Sequence, residues 1–200
     1  MFTQHRSQLS GIVDAAEPIP LPGPWPAGLA LSMHSLDGDE GLTVVGDLLG
    51  HFKYAGERRL ARPLAEALAA VLRDQPGFDA NGLILHAPAT TQRLRVPPTC
   101  DLARALAEAM RVRCLPNFLA CTRQLAHQKE IVRLEEKTAN VQGAFRVRRA
   151  EFIRGKKLLL IDDVFDSGAT LEECWRMLMQ AGAREVVVAT ITKTRYRRDR

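Results

Sequence analysis

Four consecutive apolar residues, Leu158 to Ile161, run directly into two carboxylates, Asp162 and Asp163. An apolar run this short, preceded by Lys156 and Lys157, predicts a strand buried on both faces, as in a parallel sheet. The acidic pair then falls at the strand's carboxyl end, where open α/β sheets place their ligands. Asp166, Ser167, Gly168, Ala169 and Thr170 follow, small or hydroxylated, with a glycine that lets the backbone approach a ligand closely. From Thr170 the period changes. Leu171, Cys174, Trp175 and Leu178 fall at i, i+3, i+4 and i+7, one face of a helix that stops before Gly182.

Each part of this unit has a chemical use. Amides of the loop and of the first helical turn offer unpaired donors at the positive end of the helix dipole, which suits a phosphate. Ser167 and Thr170 can add hydroxyl donors. Two adjacent carboxylates suit a diol, accepting its hydrogen bonds directly or through a hydrated Mg²⁺. Acids beside a phosphate cradle therefore imply a phosphorylated ribose. The same residues also fit a plain helix-capping device, because Asp-Ser-Gly is common in turns.

The stretch Leu-Leu-Leu-Ile-Asp-Asp-Val-Phe-Asp-Ser-Gly-Ala-Thr, residues 158 to 170, resembles the phosphoribosyl pyrophosphate (PRPP) motif of type I phosphoribosyltransferases. Asp166 stands where a threonine is usual in that motif. An anion facing a phosphate is unfavourable, so its side chain should point away or cap the loop.

The rest of the chain is built to the same plan. Two hundred residues suit one domain, and apolar and charged fractions of 46% and 26% are ordinary globular values. No run of about eighteen apolar residues occurs, and residues 1 to 8 lack the apolar core of a signal peptide, so a cytoplasmic protein without a membrane span is expected. The net charge of +5 owes much to Arg195, Arg197, Arg198 and Arg200, which read as a solvated basic tail and leave nucleic-acid contact open. Cys100, Cys114, Cys121 and Cys174 contain no Cys-x-x-Cys pair, so neither a zinc ribbon nor a disulfide framework is indicated.

Pro18, Pro20, Pro22, Pro24 and Pro26 alternate with other residues and predict an extended arm. Residues 28 to 35 alternate loosely and suggest a strand. Helices are expected over 44 to 54 and 57 to 73. A second apolar strand, Gly82 to His86, leads into a polar loop, and Pro97-Pro98 sets up a helix capped by Thr99. Residues 115 to 120 read as a third strand and 185 to 192 as a fourth. Between them, residues 122 to 154 are long, polar and poor in large apolar groups, the composition of a lid. Strand and helix alternate throughout, which specifies an α/β fold with a mostly parallel sheet flanked by helices.

Further stretches are similar to the ComF family of competence-associated phosphoribosyltransferases. They are Lys53-Tyr54-Ala55-Gly56-Glu57-Arg58, Gln128-Lys129, Lys137, Asn140 to Phe145 and Gly155-Lys156-Lys157. That family's usual four-cysteine zinc ribbon is absent, and its first loop differs, with Arg93-Leu94-Arg95 running into Val96-Pro97-Pro98.

The resemblance implies a type I fold: an N-terminal arm and hood over 1–43 and a core domain over 44–200. It implies transfer of a phosphoribosyl group from PRPP to a nitrogenous base, with release of pyrophosphate. Asp162 and Asp163 would hold the ribose hydroxyls and Mg²⁺ as catalytic and metal residues. Asp166, Ser167, Gly168, Ala169 and Thr170 would hold the 5-phosphate, and Pro88, Ala89, Thr90 and Arg93 the pyrophosphate. Lys129, Arg133 and Lys137, spaced by four, would line up along a helical lid. The alternative is a non-catalytic PRPP- or nucleotide-binding module of the same fold, acting in DNA uptake or helicase-associated processing. Homodimerisation is left open.

Overall fold

The computed structural model of the protein describes residues 10–37, 40–78, 82–89, 96–126, 131 and 133–195. After a helical turn at 10–14 come strands β1 (Ile19–Pro20) and β2 (Gly28–Met33), then helices α1 (Val44–Tyr54) and α2 (Ala61–Arg73). Strand β3 (Leu83–His86), helix α3 (Pro98–Met110) and strands β4 (Arg113–Cys114) and β5 (Leu119–Cys121) follow. The chain closes with α4 (Leu134–Val141), β6 (Phe145–Val147), β7 (Lys157–Phe165), α5 (Ala169–Gln180) and β8 (Glu185–Lys193). Six strands form one sheet in the order β1-β2-β8-β7-β3-β4, parallel throughout except for β1. Strands β5 and β6 pair antiparallel as a separate ribbon. The fold is α/β, a mostly parallel sheet flanked by helices.

Alternation along the strands divides the core into two layers. Leu159 and Ile161 of β7 join Leu49, Phe52, Leu64, Leu68, Leu102 and Leu106 from α1, α2 and α3. Leu158 and Leu160 face the other way, toward Leu171, Cys174 and Leu178 of α5 and Val141 and Phe145. All four residues of the 158–161 run are thus buried, on opposite sides. No described helix is long and apolar enough to cross a membrane.

Several expectations are corrected. The central strand does not end before the acids: β7 continues through Phe165, because Asp162, Val164 and Phe165 stay in register with Thr190, Thr192 and Lys193 of β8. The third strand divides in two. Strand β4 pairs with β3, then the chain leaves the sheet at Pro116, which has no N–H to give, and Asn117, which turns at φ +55°. Helix α2 begins at Ala61, after a 3-10 turn over Arg58–Leu60 that follows Gly56 at φ +74°. Pro97, not Thr99, is the cap of α3; the Thr99 hydroxyl donates instead to the Ala87 carbonyl at 3.5 Å.

The proline-rich segment is also more than an arm. Within it, Ile19 and Pro20 form β1, paired antiparallel with β2 at the edge of the sheet. Trp25 donates from Nε1 to the Leu21 carbonyl at 3.0 Å and sets its ring edge-on to Phe165 at 6.3 Å. The alternating prolines leave the chain extended, and two buried aromatics fasten it to the end of β7.

Helix α1 is capped by Thr43, whose hydroxyl accepts from the Gly46 amide at 2.9 Å and donates to the Met33 carbonyl at 2.6 Å. That cap draws the helix so close to β2 that a Cβ on Gly46 would lie 2.0 Å from the His34 carbonyl oxygen. Gly50, one turn on, has nothing within 4 Å. Gly46→Ala is expected to cost about 2 kcal/mol or more through backbone displacement. In the same helix Gly50→Ala should gain up to ~1 kcal/mol of helix propensity. Urea unfolding midpoints of the two variants should move in opposite directions.

Candidate functional site

Strand β3 ends at His86, opposite Ile161, whereas β7 runs on to Phe165 with β8 as its one strand partner among the described residues. Asp162 and Asp163 therefore border an open edge at the carboxyl end of the sheet. The pleat sends neighbouring side chains to opposite faces. Asp163 turns to the α1 side, where its Oδ2 meets Lys53 Nζ at 2.8 Å. The Asp162 Oδ1 accepts from the Asp163 amide at 2.8 Å. The two carboxylates thus lie on the two sides of one strand.

Their electrostatics differ accordingly. Burial, together with the neighbouring Asp163 charge, pushes the Asp162 carboxyl up to about 7, against smaller lowering from the Asp163 amide and Lys53. Burial would lower the Lys53 pKa, but the ion pair with Asp163 outweighs it and the net shift is upward. Asp163 and Lys53 form a charged couple, and Asp162 sits beside it close to neutrality.

The loop that follows is shaped by Gly168, which takes φ +82° as the N-cap of α5 and packs against the Phe165 ring. A non-glycine residue would be strained there. No side chain caps α5. Among the described residues the one side-chain contact to its first amides is a long one, from the Ala169 N–H to Ser167 Oγ at 3.4 Å. The first turn of a three-turn helix is thereby left to offer its donors outward, flanked by the Ser167 and Thr170 hydroxyls.

Asp166 points away from these amides. One carboxylate oxygen pairs with Lys137 Nζ of α4, and the other accepts from the Thr194 hydroxyl at 2.9 Å. It does not cap α5.

The lid segment is partly ordered by the same contact. Helix α4 starts at Leu134, and Arg133 precedes it in extended conformation with an exposed side chain. Lys137 is buried, 5% exposed, on the face that packs toward α5 with Val141. Arg133 and Lys137 therefore do not form the expected row, because burial of the inner face claims Lys137. Lys129 lies outside the described residues.

The chain then doubles back at Gly143, whose amide donates to Glu173 Oε1 of α5 at 2.8 Å. Burial works to raise the Glu173 carboxyl, but Arg176, held at 2.6 and 2.9 Å, and the Gly143 amide bring it below the usual range. Asn140 fastens the preceding strand of chain: its side-chain amide donates to the Ala126 carbonyl at 3.0 Å and its Oδ1 accepts from the Ala126 amide at 3.2 Å. The Asn140 to Phe145 stretch is thus a brace between the lid and α5.

Of the expected pyrophosphate residues, Pro88 is buried and Ala89 half-buried, immediately beyond β3 and across from Asp162. Thr90 and Arg93 lie outside the described residues. His86 supports this turn. Its Nε2 accepts from the Asn117 amide at 3.2 Å, so Nδ1 carries the proton and donates to the Ala87 carbonyl at 2.8 Å. Burial, helped by a smaller push from the nearby Arg104 charge, lowers its pKa.

Sequence reasoning gave no role to Lys53, Glu173 or Thr194. Lys53 stood in a quoted stretch, and Glu173 beside the core position Cys174 was a visible anomaly. Thr194 carried no signal, because only the register of β8 brings it to Asp166.

Two outcomes are expected. Folded protein keeps a proton on Asp162 between about pH 4 and 7 that unfolded chain has lost, so this residue's contribution to stability falls as pH rises through that window. In metal-free buffer, Asp162→Asn should raise Tm by roughly 3 °C or more at pH 8 and bring no gain near pH 4, read by calorimetry. Asp166→Thr should cost on the order of 1 kcal/mol and speed amide exchange across Leu134–Val141.

Comparison with known proteins finds likeness to solved structures and, over part of the chain, to one family model. Among curated proteins none matches. The glutamine PRPP amidotransferase of B. subtilis, complexed with ADP and GMP, is 16% identical with a TM-score of 0.48, over 72% of this chain and 30% of that one. The phosphoribosylpyrophosphate synthetase of Mycobacterium smegmatis is 15% identical with a TM-score of 0.41, over 64% and 33%. This chain spans about a third of the length of those two structures. A hypothetical protein from Neisseria gonorrhoeae with bound ppGpp is 20% identical with a TM-score of 0.42, over 68% of each chain. Residues 109–200, which carry β4 to β8 and with them both carboxylates and the small-residue loop, match the phosphoribosyl transferase domain family.

Proposed function

We propose that the protein is a type I phosphoribosyltransferase that binds PRPP with Mg²⁺ and transfers its phosphoribosyl group to a nitrogenous base, releasing pyrophosphate. One observation carries the reading. A strand bearing two carboxylates overruns its neighbour at the sheet's carboxyl end and leads at once into an uncapped helix N-terminus. A diol and a phosphate on one small ligand match those two features together.

In this reading Asp162 and Asp163 take the ribose hydroxyls, and residues 166 to 170 the 5-phosphate. The turn after β3, with Pro88, Ala89, Thr90 and Arg93, takes the pyrophosphate. The donor set fits Mg²⁺ in kind, since both acids offer hard oxygens. It does not fit in number: among the described residues no group of three acids, histidines or cysteines converges. Substrate oxygens and water would have to complete the shell. Bound there, the ion would neutralise charge growing on the leaving pyrophosphate.

The chain's own tasks are positional. A ring nitrogen of the base approaches C1 as the C1–oxygen bond to pyrophosphate breaks, and the nitrogen's proton is then lost. The carboxylates fix the ribose so that C1 faces the acceptor. The amides of 167 to 170 hold the phosphate at fixed distance, and the neutral His86 stiffens the turn beneath the leaving group. Residues 122 to 140, with Lys129, Arg133 and Lys137 as the lid's cations, would close over the sugar and exclude water. Acceptor recognition falls to residues 1–43 as a hood over the 44–200 core. Asp166 favours the second reading, a binding module without turnover, since it places an acid at the phosphate loop, although Lys137 and Thr194 hold it aside.

Calorimetry should show PRPP binding that requires Mg²⁺ and weakens at least tenfold, about 1.4 kcal/mol, in Asp162→Asn/Asp163→Asn. Equal affinity with and without the acid pair would end the ribose assignment. With a panel of bases, pyrophosphate release separates the two readings: binding without release leaves the module.

A further inference from the structure

Lys53 is the one described residue outside β7 and its loop that makes a salt bridge to the acid pair. It stands in the last turn of α1, where a cation is favoured by the helix dipole. The helix is pinned beneath it by Phe52, which is fully buried, and by Arg58, whose guanidinium lies 5.7 Å from the Phe52 ring and whose Nη1 donates to Asp101 at 2.8 Å. Lys53 is therefore delivered by a rigid element, not by a loop. Its side chain is only 17% exposed, and that of Asp163 only 15%. A contact of 2.8 Å between two groups so withdrawn from water is far stronger than an exposed pair.

The consequence concerns the carboxylate that Lys53 occupies. A divalent cation and an ammonium group seek the same oxygens of Asp163. Two like charges drawn to one carboxylate at such range exclude each other unless further anions arrive. Nor can the acids recruit a cation by number, since no third ligand converges among the described residues. We propose that Lys53 is the resident counter-ion of Asp163 and competes with divalent metal for that carboxylate, so the free protein holds its acid pair neutralised and metal-poor. Lys53 is a positioning residue in this role. It holds the Asp163 carboxylate in place on the α1 side of β7, and it yields that carboxylate only when a substrate brings additional negative charge. The inference rests on the reading of the acid pair as a metal and ribose site.

The test uses Mn²⁺ alone as probe, with no sugar present, followed by electron paramagnetic resonance of the free ion. Wild-type protein should bind Mn²⁺ weakly. Lys53→Met should bind it at least tenfold more tightly, Lys53→Arg should return affinity to the wild-type level, and Lys53→Met/Asp163→Asn should lose the gain. Equal Mn²⁺ affinity in wild type and Lys53→Met, including no binding by either, overturns the proposal, as does failure of Lys53→Arg to restore weak binding.

Lys53→Gln serves if the methionine variant does not fold. A measurement on the wild type stands in any case. Reductive methylation followed by mass spectrometry should modify Lys53 much more slowly than the exposed Lys156, and equal rates overturn the pairing. Loss of PRPP binding with these Mn²⁺ results intact would instead count against the transferase reading and leave the counter-ion role standing.

Discussion

The structure depends on one constraint: β7 must be buried on both faces along its first half and open along one edge of its second. Four apolar residues satisfy the first condition by feeding two separate cores. The shortness of β3 satisfies the second, because its register ends at Ile161. Every polar group in the site is placed by that difference in strand length. Asp162 and Asp163 border the vacant edge, Gly168 starts α5 just beyond it, and the turn after β3 comes up alongside.

Charge in this region is balanced in pairs across different elements. Asp163 is met by Lys53 from α1, and Asp166 by Lys137 from α4 and Thr194 beyond β8. Glu173 of α5 is met by Arg176 and the Gly143 amide. Asp163, Asp166 and Glu173 thus each have a partner contributed by a segment distant in sequence. Such pairs do little for net stability, since desolvation offsets much of the attraction. Their effect is on geometry: they fix which way each carboxylate faces, and so leave the amides at the start of α5 as the donors aimed into the cleft.

How much of this was legible in the sequence follows from range. The 158–161 run and the 3.6-residue period of α5 are both local, and the strand and the helix stand where those patterns predict them. Strand ends were misplaced where pairing decides them. Nothing in Asp162 to Phe165 looks like strand, yet β8 extends the ladder to meet them. The proline-rich segment was read as an arm because proline alternation conceals burial, and only Trp25 against Phe165 reveals the docking. The lysine spacing of the lid suggested a cationic row, and the inner face of α4 took Lys137 out of it. Ion pairs between remote elements, such as Lys53 with Asp163, leave no trace in spacing.

The two tryptophans have a consequence of a different kind. Trp25 rests edge-on against Phe165, the residue just before the loop, and Trp175 sits on α5 just after it, with its indole nitrogen buried and without a hydrogen-bond partner. The chain contains no others. Its tryptophan emission, excited at the red edge where the two tyrosines absorb little, therefore comes from the two flanks of the loop. The protein carries its own optical label on both sides of residues 166 to 170, and changes in that loop can be followed in native, unmodified material.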